Sequence, residues 1–337
     1  MKFTHHIKKS LYIFIILLTL FCRSETGSGT ASRSSLFSGV LANLLSAFNP
    51  KPMFKNISEN IIYDLYASYA TKMNTMKTSC NTANWKEAIL VLKQTEMIDF
   101  GYSSVYSTLD PWPTYYQTPN SISTTANSMA ASDLINGTGN CITIATSIYT
   151  TASTLAYNWN PSNLSSYSIA MQTAGSSNEF YKTDKEVIDK IINCLDALLE
   201  KMKDDKVGYP GGLSTSALNT KHLSSIEYVS VTGINIQILQ KNMLGFRKIY
   251  SGNGGAGLSE YVTYYNSDLN SRILVKMDEV DAALSALTDL NTDIVNNSTK
   301  VSTLFTKLKE LKVLIGVELK GNLGTTITTT TGSGDGD

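Results

Sequence analysis

Histidine is nearly missing from this sequence, with three among 337 residues. His5 and His6 precede an apolar segment near the N-terminus, so His222 alone lies downstream of it. A site that needs two histidines from one chain, such as a zinc centre on a His-x-x-x-His helix, is therefore excluded. Proline is also scarce (7), and with 22 glycines the composition is that of neither a fibrous nor a low-complexity chain. Charge of either sign is not in excess, at 28 basic and 28 acidic residues. Removing the leader lysines Lys2, Lys8 and Lys9 leaves 25 basic against 28 acidic residues. The basic footprint of a nucleic-acid binder is lacking. After Phe21 no stretch approaches 18 apolar residues, so no transmembrane helix is expected. What is present is 42% hydrophobic residues against 17% charged, enough for a sizeable core.

The N-terminus joins a short basic stretch, Met1 to Lys9, to the apolar run Leu11–Phe21. Such a run rises about 16 Å as a helix, against a hydrocarbon core of about 30 Å, which suits the core of a secretory signal rather than a span. Cys22 follows at once, so residues 1–21 are expected to be removed and Cys22 to be lipidated. The other reading is an ordinary signal with an incidental cysteine. Residues 23–35, rich in Ser, Thr and Gly, read as the start of a flexible tether over 22–54. Cys80, Cys141 and Cys194 match no metal spacing; two of them could pair in an exported chain, or all three could be small buried hydrophobes.

Apolar periodicity is helical wherever it is clear. Ile57, Ile61, Ile62, Leu65, Tyr66, Tyr69, Met73 and Met76 recur at spacings of three and four, and Trp85, Ala88, Ile89, Leu92 and Met97 continue in a second helix. Thr183 and Glu186 make a capping box ahead of a wide apolar stripe from Val187 to Met202, with Lys and Asp expected on the opposite face and Tyr209–Gly212 as the stop. Met277–Leu290 and Leu304–Leu319 give two further amphipathic helices. The fold class is mainly α, with helical bundles over 55–175 and 176–337. Gly252, Gly254 and Gly257 satisfy G-x-G-x-x-G, but the preceding segment reads as helix, so a helix-to-helix turn is expected rather than a dinucleotide site.

Three local groups carry chemistry. Trp85 and Glu96 sit at the two ends of one predicted helix, followed by Phe100-Gly101. Asp110-Pro111-Trp112-Pro113 holds a stiff tryptophan, as a binding wall or as a packed cap on the bundle. In His222–Tyr228, a helix would put Ser224 and Glu227 on one face, and an inward Glu227 would need a cation, a metal or donors, or be a satisfied structural carboxylate. Asp335-Gly336-Asp337 offers oxygens at the C-terminus, with a solvated tail as the default.

Taken in order, these motifs resemble the imelysin family of exported bacterial proteins, many of them lipoproteins, once classed as metallopeptidases. The order is Trp85, Glu96, Phe100-Gly101, Asp110–Pro113, Ile226-Glu227-Tyr228-Val229, the Gly254 loop, Leu323-Gly324 and Asp335–Asp337. Aligned on Glu227, the family's motif histidine falls at Ser224 and its glycine at His222. The resemblance implies two helical bundles and a cleft lined by Glu96, Asp110, Trp112, Ser224 and Glu227. Glu227 and Glu96 would be oxygen ligands for a divalent cation such as iron or calcium. It implies a binding role in iron acquisition at the cell envelope, in the periplasm or on the outer membrane. The implied partners are the membrane through the lipid on Cys22, a metal ion or an envelope protein, and no nucleic acid. A metallopeptidase is the alternative, disfavoured by Ser224 at the histidine position, and no catalytic residue is assigned; a surface interaction protein using its tyrosines is a third. If Glu96 and Glu227 share a shielded cleft, one of them should titrate high unless a cation sits between them.

Overall fold

The computed structural model describes residues 48–98, 109, 133–176 and 178–324. Cys22, Asp110, Trp112 and Asp335–Asp337 lie outside the described residues. Among the described residues the secondary structure is helical, without a strand. Contacts group the chain into Met1–Phe48 and Asn49–Asp337, and every described helix belongs to the second unit.

Its first half is built on α1 (Lys51–Lys55), a π-helical segment Asn56–Tyr63, α2 (Asp64–Thr78), α3 (Thr82–Leu92), α4 (Cys141–Trp159) and α5 (Tyr167–Gln172). The predicted apolar stripe from Ile57 to Met76 is buried against α3 and α4. Asn81 caps α3 by accepting from the Asn84 N–H at 2.9 Å, satisfying one orphan donor of the first turn. Cys80 and Cys141 form a disulfide across 61 residues, while Cys194 is buried and outside the disulfide. Closing a loop of that length stabilises by about 2–4 kcal/mol. Replacing Cys80 and Cys141 together by serine should lower the denaturant midpoint accordingly, and reduction should bring the parent to the same value. A parent midpoint indifferent to reductant would show that the bond adds nothing.

The second half runs α6 (Asp184–Glu200), the π-helical segment Lys201–Gly208, a loop over 212–233 with two short 3₁₀ turns, α7 (Ile234–Ser251), α8 (Leu258–Tyr265), α9 (Ser267–Ser285), α10 (Leu290–Asn296) and α11 (Ser298–Lys312). A third π-helical segment, Val313–Leu319, leads into α12 (Lys320–Leu323). Thr183 accepts from the Glu186 N–H, and Glu186 in turn accepts from the Lys182 N–H, one residue before the cap. Gly212, at φ +73°, ends the run after Tyr209–Pro210, as the Tyr-Pro-Gly-Gly signal predicts. The glycine-rich segment is a turn between α7 and α8, with Gly252 and Gly254 at positive φ and the Asn56 amide donating to the carbonyls of Gly252 and Ala256. Position 175, the expected meeting point of the two bundles, is the positive-φ glycine of the turn after α5.

The lysines and aspartates of 184–206 do not all fill a solvent face, since Asp189, Asp196, Lys203, Asp204 and Lys206 are buried. A π-helix brings residues five apart together, whereas on an α-helix they point about 140° apart. The wider turn accounts for Lys203, Asp204 and Lys206, which lie on the π segment, whereas Asp189 and Asp196 lie on α6 itself beside Lys185 and Lys320. The buried charges are paired: Lys320 with Asp196 at 2.5 Å and Lys203 with Asp204 at 3.5 Å, with the half-buried pair Lys312–Glu200 at 3.0 Å beside them.

Candidate functional site

Glu96 follows the 3₁₀ turn Lys93–Thr95 that extends α3. That turn is pressed against α7, because Gly245 leaves no room for a side chain: a Cβ there would lie 2.1 Å from the Gln94 carbonyl oxygen. Three residues earlier on α7, Asn242 donates its amide to the Lys93 carbonyl at 2.7 Å and to Glu96 Oε2 at 2.8 Å. From the opposite side the π segment delivers Lys201 and Lys206, five residues apart. Lys206 Nζ donates to Glu96 Oε2 (2.7 Å), Glu227 Oε2 (2.8 Å) and Asn242 Oδ1 (3.0 Å). Lys93 ion-pairs with Glu227 Oε1 and lies 3.7 Å from Glu96, and Lys201 ion-pairs with Glu96 Oε1. Two carboxylates, three ammoniums and one amide thus form a buried cluster.

Glu227 reaches it from a loop, not a helix. Leu223–Ser225 is a 3₁₀ turn, Ile226 is extended, and Tyr228 sits at φ +51°, a left-handed conformation that a tyrosine holds only when its surroundings enforce it. The Tyr228 ring is buried and meets the Trp85 ring edge-on, with centroids 5.0 Å apart. This contact clamps the backbone that aims Glu227 inward. Ser224 is exposed and does not share a face with the buried Glu227. His222 stacks on Tyr209 at 4.2 Å, and its Nε2 lies 3.4 Å from the Ala217 carbonyl oxygen. Of the candidates from sequence, Glu96 and Glu227 are brought together by Lys206, which hydrogen-bonds both, with Lys93 also within ion-pair distance of each; Ser224 is exposed and outside the cluster.

The electrostatics follow from this geometry. Burial disfavours both carboxylates, but Lys201, Lys206 and Lys93 outweigh it and hold Glu96 well below the usual range. Glu227 is likewise lowered: burial and Glu96 push it up, while Lys206 and Lys93 pull it further down. The cation that two facing carboxylates require is supplied by the chain itself. Beside them Asp205 is pushed up to about 6, chiefly by burial, with Glu200 and Glu96 adding to it and Lys201 and Lys206 opposing.

The two kinds of carboxylate give opposite pH dependences. For Glu96 and Glu227, stability is present above the ordinary glutamate range and is lost as pH falls through their lowered values. For Asp205 the folded state keeps a proton that the unfolded chain sheds near pH 4, so its contribution declines from about pH 4 to about 6. Asp205→Asn should therefore gain about 1–3 kcal/mol over the parent at pH 7.5, with the difference vanishing near pH 4. Urea unfolding at the two pH values checks this; an equal difference at both would refute it.

The family model of imelysin, a peptidase family by its classification, matches residues 141–315, about half of the chain, including Glu227. The chain belongs to the imelysin family. A crystal structure given the working name iron-regulated protein A precursor, from Parabacteroides distasonis, shares its fold at a TM-score of 0.64, covering 81% of this imelysin and 94% of that chain at 14% identity. No curated protein matches the sequence. In this imelysin the residues present do not fit a divalent cation between Glu96 and Glu227. The three oxygens that converge there, two carboxylate and one amide, already hold an ammonium, and two more ammoniums flank it. Among the described residues no group of three His, Cys, Asp or Glu side chains could hold a metal. Sequence reasoning missed Lys93, Lys201, Lys206 and Asn242. Lys93 was within reach, as the i,i+3 partner of Glu96.

Proposed function

We propose that this imelysin is an exported, lipid-anchored binding protein of the cell envelope with a role in iron acquisition, and that it is not a peptidase. The observation that carries the reading is the bridging of Glu96 and Glu227 by Lys206. A carboxylate acting as general base must accept a proton from water, and one held by two buried ammoniums at a lowered pKa is a poor acceptor. The pair instead locks the end of α3, the π segment, α7 and the loop before it into one rigid framework, which suits presentation of a binding surface. The iron role is supported by family membership and by the name of the structural neighbour, and the anchor by Cys22 behind an apolar run.

The test is calorimetric titration of the purified protein with ferrous iron or calcium, beside a proteolysis assay with and without chelator. The parent should show no cation uptake that depends on Glu227 and no turnover. Lys206→Ala should gain uptake, because its two carboxylates and one amide oxygen are then open to a hard cation. Chelator-sensitive hydrolysis by the parent that is lost in Glu227→Gln would replace this reading with the metallopeptidase.

A further inference from the structure

Large exposed apolar side chains occur on any soluble protein, and single ones need no explanation. Three of them here lie on the stretch that joins α4, α5 and α6: Tyr157 (62% exposed) in the last turn of α4, Leu164 (84%) between α4 and α5, and Phe180 (56%) between α5 and α6. Their grouping is built into the local structure. Leu164 tips a turn in which the Asn163 N–H bonds to the Asn160 carbonyl and the Ser166 N–H to the Asn163 carbonyl, while the Asn163 amide reaches the Tyr157 carbonyl. Phe180 is fixed at the surface by an edge contact to Tyr167 at 5.3 Å, and Tyr167 leans on buried Trp159 at 5.6 Å. The rings thus form a rigid series from core to solvent that ends in an exposed phenyl group.

The same junction is where the chain enters the domain. Lys51, at the start of α1, donates to the Ala174 carbonyl at 2.7 Å and pairs with Asp184 at 2.6 Å, on either side of the turn that carries Phe180. The sequence preceding Asn49 leads back to Cys22 and the apolar run Leu11–Phe21. We propose that this junction is the face the domain rests on a lipid bilayer, with Leu164, Phe180 and Tyr157 entering the interfacial zone. Aromatic and aliphatic side chains at headgroup depth are the common means by which a protein surface engages a bilayer. Charge around the patch is balanced, with Lys51, Lys182 and Lys185 against Glu179, Asp184 and Glu186. Contact is therefore apolar and needs neither anionic lipid nor low salt. The inference rests on the anchored reading above, since a lipid on Cys22 would hold this end of the domain near the membrane.

The experiment uses full-length protein with phosphatidylcholine vesicles whose acyl chains are brominated. Tryptophan is introduced by Leu164→Trp, by Phe180→Trp and, as reference, by Val275→Trp, an exposed position on α9, whose helical partners include α7, α8 and α11. The first two should lose most of the added emission to bromine, and the third should not, at low and at high salt alike. Equal or weaker quenching at 164 and 180 than at 275 overturns the proposal. Mass spectrometry of the N-terminus separates the two readings. A lipidated Cys22 without selective quenching sinks the membrane face and leaves the anchor; selective quenching without lipid supports the face and sinks the anchor.

Discussion

Replacing Lys206 by methionine should destabilise the protein by about 3–5 kcal/mol, the range for removing one partner of a buried charged pair. Methionine keeps much of the stem volume, so the loss is electrostatic. Glu96 and Glu227 would then face each other with their shared ammonium gone, and Asn242 Oδ1 would lose its donor. Of the remaining ammoniums, Lys201 pairs with Glu96 alone, and Lys93 pairs closely with Glu227 but stands 3.7 Å from Glu96, so neither replaces the two hydrogen bonds that Lys206 makes. Both glutamates should titrate higher than in the parent, so acid unfolding should begin at higher pH. Combining Lys206→Met with Glu227→Gln should cost less than the sum of the single changes, because residues sharing one charge network do not add. Equilibrium unfolding in urea reads all of these; a loss below about 1 kcal/mol for Lys206→Met would show the cluster to be solvated rather than buried.

Gly245→Ala should also cost about 3 kcal/mol or more, against the usual direction for glycine in a helix. In the interior of a helix, alanine is favoured over glycine by about 1 kcal/mol. Here the added methyl would sit 2.1 Å from the Gln94 carbonyl oxygen and 2.9 Å from its carbon. These are backbone atoms that no rotamer change can clear, so α7 and the Lys93–Thr95 turn must move apart. That movement would stretch the bonds from Asn242 to Lys93 and Glu96, so the steric cost falls on the ion cluster as well. Overpacking of this kind typically costs about 1–3 kcal/mol before any polar contact is lost. Thermal unfolding of Gly245→Ala beside Gly316→Ala makes the check, since Gly316 abuts the Asp196 carboxylate, a side chain that can yield. A smaller loss at 245 than at 316 would place the tight contact elsewhere.

Much of the fold could be read from the sequence because period and caps agree. The stripe from Ile57 to Met76, the Thr183 box and the glycine stop after Pro210 each name their own structure, and the family motifs point to Glu96 and Glu227. The rest escaped for identifiable physical reasons. Lys201 and Lys206 converge only on a widened helical turn, and a lysine beside aspartates at ordinary spacing reads as a solvated face. Asn242 lies on the buried face of α7 and gives no sign in sequence that it bonds two residues some 150 positions earlier. The helix that would set Ser224 beside Glu227 is broken between them by the extended backbone of Ile226.

The disulfide between Cys80 and Cys141 makes a covalent ring of the chain between them, and the ring contains Glu96 and the Asp110–Pro113 motif. Connectivity across the molecule therefore does not depend on every peptide bond in that stretch. A single cut between the two cysteines leaves α2, which lies before the ring, still joined to α4, which comes after it. Where thiols stay oxidised, hydrolysis of any one peptide bond between the two cysteines would leave a single covalently joined molecule.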